Sequence, residues 1–244
     1  MTAAAEPIRI LTGPMSVFGA KAVIAAHEKQ LDFETVMVPF SLRDGYAPKP
    51  PEVLQGNPKG QIPVLLHDGL VLFDSTQIFE YLEDRWPRPS LWPSAPGARA
   101  LARQAELLAD EVLFPRVLAL MGLRRSGADA KACGPAVMAI GEMQRDLDRR
   151  LAGRDWLAGP YGYADIATFC VLLMASALGA DPGADPEAEM ASLAAWRDRV
   201  AARPAVTRTV APMAAFMAAN RLALPPWLAA MAATEAPPPG AVAS

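Results

Sequence analysis

From Ile62 to Gln77 the chain carries two apolar runs about an Asp-Gly pair and then a helix start, and that order constrains the fold more than any other stretch. Ile62-Pro63-Val64-Leu65-Leu66-His67 and Leu70-Val71-Leu72-Phe73 have strand composition, and Asp68-Gly69 between them suits a two-residue type I′ turn. The two runs therefore pair antiparallel. Asp74 follows as a helix N-cap with Gln77 at capping-box spacing, and Ile78, Leu82 and Trp86 share one face before Pro87 stops the helix.

Upstream, Ile8-Arg9-Ile10-Leu11-Thr12 reads as a strand closed by Gly13-Pro14. A helix from Gly19 to Gln30 follows, with apolar Val23, Ile24 and Ala26, ending on the polar turn His27-Glu28-Lys29-Gln30. Phe33 to Val38 alternates as a second strand, and the spacing is that of a βαβ unit, which makes the two strands parallel. Ser41 to Pro51 is irregular and proline-rich, and a short helical turn spans Glu52 to Gln55. His67, beside Asp68-Gly69, reads as an exposed hairpin residue. Residues 1–86 thus form one α+β domain of order βαβαββα.

Residues 87–97 read as a linker, since Arg88 to Gly97 is rich in proline and glycine and has no period. The composition then changes to Ala, Leu, Met and Arg without a convincing strand, with helices expected near 98–124, 131–152, 164–178, 190–203 and 205–219. Residues 98–221 are therefore an all-α helical bundle, whose first helix should be kinked by Pro115. The remaining residues, 222–244, are read as a partly disordered tail in which Pro225-Pro226-Trp227 and Pro237-Pro238-Pro239 bracket a short Ala-rich turn.

The bulk properties narrow the function classes. Hydrophobic residues at 52% and charged residues at 20% supply a core and exclude a disordered chain. A formal net charge of -3 offers no basic field for phosphate backbones or anionic lipids, so neither nucleic acid nor membrane is an expected partner. Cys133 and Cys170 have no metal-like spacing and read as buried apolar thiols in a reducing compartment, so no metal is expected. The N-terminal stub lacks a basic and apolar leader, and no apolar run is long enough to span a bilayer, which points to the cytoplasm.

Asn57-Pro58-Lys59-Gly60-Gln61-Ile62-Pro63-Val64-Leu65, followed by Asp74-Ser75-Thr76-Gln77-Ile78 and Tyr81-Leu82, resembles the glutathione-site signature of the cytosolic glutathione transferases, here of a serine-type, bacterial-like kind. Leu91-Trp92-Pro93 and the stretch from Trp196-Arg197 to Arg203-Pro204-Ala205 are similar to the family as well. The resemblance implies a thioredoxin-like N-terminal domain followed by the helical domain, and glutathione as co-substrate.

It also implies roles for particular residues. The Ile62-Pro63 bond is expected to be cis, turning the Ile62 backbone groups outward as an edge along which a tripeptide could pair. Asp74 and Ser75, at a helix N-terminus, are expected to hold the γ-glutamyl end, with the Ser75 amide and hydroxyl on its carboxylate, and Gln61 is expected to reach the same end. Lys49 falls where related enzymes place a basic residue on the glycyl carboxylate. Ser16, in Ser16-Val17-Phe18-Gly19, stands where thioredoxin-like oxidoreductases have the nucleophilic Cys. A serine hydroxyl forms no mixed disulfide, but it can donate a hydrogen bond to the glutathione thiolate. Its alternative role is that of a plain helix N-cap.

In the helical domain, Gly162 occupies the Ser/Thr place of the family's N-capping segment, with Asp165 as its acidic partner. A homodimer is implied, with Asp110 or Glu111 reaching the partner's glutathione amine. The expected reaction is attack of glutathione thiolate on a hydrophobic electrophile. Pro14, Arg116, Val117 and Met121 are candidates for the second-substrate wall, and Trp227 for a lid. The alternatives are glutathione-dependent aryl-ether cleavage or dehalogenation on the same fold, or a non-catalytic glutathione- or partner-binding module.

Overall fold

In the computed structural model, which describes residues 6–181 and 190–233, the chain divides after Ser90. The N-terminal unit is built on strands β1 (Ile8–Thr12), β2 (Phe33–Met37), β5 (Val64–His67) and β6 (Leu70–Phe73), in the order β2-β1-β5-β6. β1 and β2 are parallel, whereas β1 with β5 and β5 with β6 are antiparallel, as the βαβ spacing and the Asp-Gly turn require. Asp68 and Gly69 take φ of 49° and 75°, the paired left-handed conformation of a type I′ turn.

Strand alternation sorts the core onto two faces. Ile8, Ile10 and Leu65 pack with Ala22, Val23 and Ala26 of α1 (Val17–Glu28) and with Ile78 and Leu82 of α3 (Ser75–Arg85). Leu11 and Val64 pack instead with Val38 and with Val53 of α2 (Pro51–Gly56).

Three local readings change. The segment read as irregular contains a small antiparallel ladder, β3 (Phe40–Ser41) with β4 (Gly45–Tyr46), whose two-residue strands are too short to leave a period in the sequence. His67 is not exposed: it shares the helix-covered face with Leu65 and is 6% accessible, with Nδ1 2.6 Å from the Tyr81 hydroxyl and its ring 5.4 Å from that of Trp86. Lys29, read as part of a polar turn, is buried; its ammonium donates to the carbonyls of Trp86 (2.7 Å) and Pro89 (3.0 Å) and meets Glu83 Oε2 at 2.6 Å. Glu83 in turn accepts from Ser90 Oγ at 2.6 Å, so the pair ties down the exit of the unit.

The C-terminal unit contains α4 (Pro96–Leu108), α5 (Phe114–Arg125), α6 (Ala130–Leu151), α7 (Tyr163–Ala177), α8 (Ala191–Ala201), α9 (Pro204–Ala219) and α10 (Pro226–Ala232). The single helix expected over 98–124 is interrupted by a π-helical turn, Ala109–Leu113, in which Phe114 N–H reaches back to the Ala109 carbonyl. Proline at 115 has no N–H for the residue 111 carbonyl and would crowd it, and the wider turn ahead of Pro115 accommodates both defects. Part of the expected linker is also core: Leu91, Trp92 and Pro93 are buried, and Trp92 packs edge-on against Tyr163 at 5.7 Å.

α7 is buried along almost its whole length, and Asp165 organises its start. One carboxylate oxygen accepts from Leu157 N–H (3.0 Å) and Trp196 Nε1–H (2.8 Å), and the other from Gly162 N–H (3.1 Å). Burial raises the Asp165 pKa above the ordinary carboxylate value, against the pull of these donors. Glycine at 162 also has a steric reason: a Cβ there would stand 2.3 Å from the Leu91 carbonyl oxygen, which accepts Tyr163 N–H.

Part of the tail is likewise structured. Residues Pro226–Ala232 form a helix packed on α9, with Leu228 fully buried and Trp227 Nε1–H donating to Asp181 Oδ1 at 3.1 Å. Met1–Ala5 of the N-terminal stub and Pro237-Pro238-Pro239 lie outside the described residues. Cys133 and Cys170 are buried and form no disulfide. Among the described residues no helix is long and apolar enough to cross a membrane.

Candidate glutathione site

Register brings the sequence motifs of the N-terminal unit together. Leu11 pairs with Val64 and Val64 with Phe73, so the ends of β1 and β6 and the start of β5 form one row across the sheet. One step beyond that row lie Thr12-Gly13, Pro63 and Asp74. The loop before α1, the Ile62-Pro63 peptide and the start of α3 therefore share one end of the sheet. His67 and Asp68 stand at the opposite end.

The Ile62-Pro63 bond is cis. Among the described residues no hydrogen bond engages the Ile62 backbone, so its N–H and C=O are open to an added strand. The approach to that peptide is fixed by Asn57, a buried residue to which the sequence reading assigned no role. Its Nδ2 donates to the Gln61 carbonyl (2.6 Å), its Oδ1 accepts Lys59 N–H (2.9 Å), and its own carbonyl accepts Gly60 N–H (2.7 Å). Gly60 turns with φ 57°, and a Cβ there would lie 3.8 Å from Lys49 Nζ. Lys49 thus reaches the same turn, and the exposed side chain of Gln61 leaves from it.

At the start of α3, Asp74 has φ 73° and ψ 127°, a conformation that costs a non-glycine residue about 1–3 kcal/mol. Held there, its Oδ1 accepts the N–H groups of Thr76 (3.0 Å) and Gln77 (3.3 Å). Among the described residues the Ser75 N–H has no acceptor, which leaves one amide at a helix N-terminus for an incoming anion. Ser75 as a whole residue is 2% accessible.

Ser16 is the N-cap of α1: its Oγ accepts Gly19 N–H at 3.0 Å, and its N–H donates to the Gly13 carbonyl at 3.0 Å. Because Oγ is the acceptor in the capping bond, the hydroxyl proton remains to be donated. Gly19 must be glycine, since a Cβ there would stand 1.7 Å from Thr12 Oγ1 and 2.8 Å from Ser16 Oγ. Tyr46, from the unforeseen β3–β4 ladder, reaches the same loop: its hydroxyl accepts Met15 N–H at 3.2 Å and its ring covers Gly13. Burial pushes the Tyr46 pKa up to about 12, opposed by that bond, so the phenol stays protonated at neutral pH.

The remaining candidates belong to the other unit, apart from Pro14, which is half-buried in the Ser16 loop. Arg116 donates to the Val112 carbonyl in the π-helical turn before its helix, Met121 is half-buried, and Val117 is buried at 1% accessibility. Asp110 and Glu111 both fall in the π-helical turn.

A thioredoxin-like sheet with an open peptide edge, a helix end offering an amide and a hydroxyl at a second helix start, followed by a helical bundle, defines the two-domain glutathione transferase class. The family profile of the glutathione S-transferase N-terminal domain matches residues 15–85 and that of the C-terminal domain residues 122–204. Glutathione S-transferase U17 of Arabidopsis thaliana is 30% identical over 214 residues, spanning 83% of this chain and 89% of that protein. Protein LigF of Sphingobium is 29% identical over 224 residues, 76% of this chain and 86% of that one. Its crystal structure, described as that of a β-etherase, superposes with a TM-score of 0.66 at 25% identity over 84% of this chain and 98% of that one. A Methylobacterium radiotolerans glutathione S-transferase in complex with glutathione sulfonate superposes with a TM-score of 0.69 at 30% identity, over 84% and 94% of the two chains. The chain belongs to the glutathione S-transferase family and is a glutathione transferase enzyme.

Proposed function

We propose that this transferase binds glutathione along the Ile62 edge and that Ser16 holds its sulfur as a thiolate for attack on a small hydrophobic electrophile. The observation that carries the reading is the Ser16 hydroxyl, capped onto Gly19 N–H with its proton left to give, at the sheet end where the peptide edge and the free Ser75 amide also lie. In this reading the γ-glutamyl carboxylate meets Ser75 N–H beside Asp74 and Gln61, and Lys49 takes the glycyl carboxylate.

The demand on Ser16 is moderate. A free thiol with pKa about 8.5 is only a few per cent ionised at neutral pH, and lowering it by two units takes about 2.7 kcal/mol. A charge-assisted hydrogen bond together with the N-terminus of α1 supplies that order of energy.

The likeness to LigF favours a second reading within the same chemistry. The thiolate attacks the carbon bearing an aryl ether oxygen, a C–S bond forms as the C–O bond breaks, and the departing aryl oxide takes up a proton. The test is a glutathione titration followed by thiolate absorbance in the wild type and in Ser16→Ala. The wild type should show a thiolate band at neutral pH that Ser16→Ala loses. A wild type that binds glutathione without that band refutes the role of Ser16, and a wild type that binds none refutes the site. Aryl-ether and aryl-halide substrates, assayed side by side, then separate the two reactions.

A further inference from the structure

The loop that carries Ser16 is short, and two of its four anchors are local. Ser16 N–H closes a turn on the Gly13 carbonyl, Ser16 Oγ accepts Gly19 N–H, and Thr12 ends the strand behind it with its carbonyl accepting Val38 N–H. The fourth also comes from a distant part of the chain. Tyr46 stands at the end of the β3–β4 ladder, paired with Phe40 and packed on its ring at 4.7 Å. The ladder's turn is closed by Asp44 N–H to Ser41 Oγ (2.9 Å) and by Gly45 with φ 68°. The Ala47 N–H to Pro39 carbonyl bond of 3.2 Å fastens its base.

Held in this way, Tyr46 grips the loop twice. Its hydroxyl accepts the N–H of Met15, the residue directly before Ser16. Its ring occupies the space above Gly13, where a Cβ would come within 2.1 Å of Cε1. No side chain larger than hydrogen fits at Gly13 while the ring is there, so a glycine in the loop and a tyrosine in the ladder form one matched contact.

Resting on the proposed role of Ser16, we infer that Tyr46 is a positioning residue for the thiolate site, fixing the Met15-Ser16 peptide so that the Ser16 hydroxyl points its proton at the glutathione sulfur. A hydrogen bond to a thiolate weakens steeply with misalignment, so a loop free to shift lowers the thiolate fraction without removing any group that touches the peptide. Burial keeps the phenol neutral, so this grip is constant across the pH range in which a bound thiol titrates.

The inference is tested by pH titration of the bound thiolate band in the wild type, Tyr46→Phe, Ser16→Ala and the double variant. Tyr46→Phe keeps the ring over Gly13 and removes only the acceptor for Met15 N–H. The bound thiol pKa should rise by about 0.5 to 1, a three- to tenfold loss of thiolate below the pKa. The glutathione Kd at a pH where the bound thiol is protonated should stay within about twofold, because no peptide contact is lost.

In the Ser16→Ala background the same change should have no further effect. Amide hydrogen exchange supplies an independent readout: Met15 should lose protection in Tyr46→Phe while α1 keeps it. An unchanged thiol pKa in Tyr46→Phe, or unchanged protection of Met15, overturns the inference. An equal rise with and without Ser16 also overturns it, since Tyr46 would then act on the sulfur directly. If Ser16→Ala itself leaves the thiol pKa unmoved, the failure belongs to the role of Ser16 and not to Tyr46 alone.

Discussion

Replacing Lys29 by Met should destabilise the N-terminal unit by about 3 kcal/mol, although residue 29 lies at the far end of α1 from the proposed chemistry. The ammonium has three protons and three partners: the carbonyls of Trp86 and Pro89 and the carboxylate of Glu83. The Lys29 side chain is wholly inaccessible and that of Glu83 is 10% accessible. Methionine matches the length of the stem, so the packing survives while two carbonyls lose their donor and the Glu83 carboxylate loses its ammonium but keeps the Ser90 hydroxyl. Removing one member of a buried pair typically costs about 3–5 kcal/mol, and the slight accessibility of Glu83 argues for the lower end. With a urea m-value of about 2 kcal/mol/M, the midpoint should fall by about 1.5 M. Adding Glu83→Gln should restore about 1–2 kcal/mol, because the buried carboxylate that lost its ammonium is then neutral. The reasoning is refuted if Lys29→Met lies within 1 kcal/mol of the wild type, or if the double variant is less stable than Lys29→Met alone.

Two further changes probe the elements that frame the site and the bundle. Gly19→Ala would gain about 1 kcal/mol in helix propensity, but its Cβ collides with Thr12 and Ser16, so a net loss of about 1–3 kcal/mol should accompany loss of the thiolate band; a more stable variant would contradict the clash. Asp165→Ala orphans three N–H donors and should cost about 3–5 kcal/mol by urea unfolding, a large part of a total near 5–15. Because burial raises the Asp165 pKa, its protonation stabilises the fold as pH falls and is lost as pH rises through the folded value. The stability gap between the wild type and Asp165→Asn should therefore widen on acidification, and a narrowing gap would show that the accepted hydrogen bonds outweigh burial.

Elements whose signal is local were legible without any structure. The Asp-Gly pair dictates a left-handed turn, alternation dictates two strand faces, and Asp74 at a helix start dictates a cap. The hairpin, the α3 boundary and the change from an α+β unit to a helical one were accordingly readable from Ile62 to Gln77 and from the composition after Ala98. The Ser16 and Ser75 positions came from the family resemblance; in the structure Ser16 caps α1 and Ser75 opens α3, each at the end of a strand.

What escaped the sequence reading depends on residues brought together from far apart. The Lys29-Glu83 pair joins residues 54 positions apart, and Lys29 in isolation looks like any polar helix end. Tyr46 meets Met15 across 31 positions through a ladder too short to show a period. Asn57 holds the Gln61 carbonyl by a side-chain bond, which no hydrophobic pattern reports. The sequence by itself determined the four strands of the sheet, the Asp-Gly turn and the start of α3, because those follow from backbone sterics and side-chain periodicity within a few residues. Only the tertiary structure decided which buried polar groups pair, because a charge or hydroxyl removed from water takes the nearest compatible partner that folding brings to it.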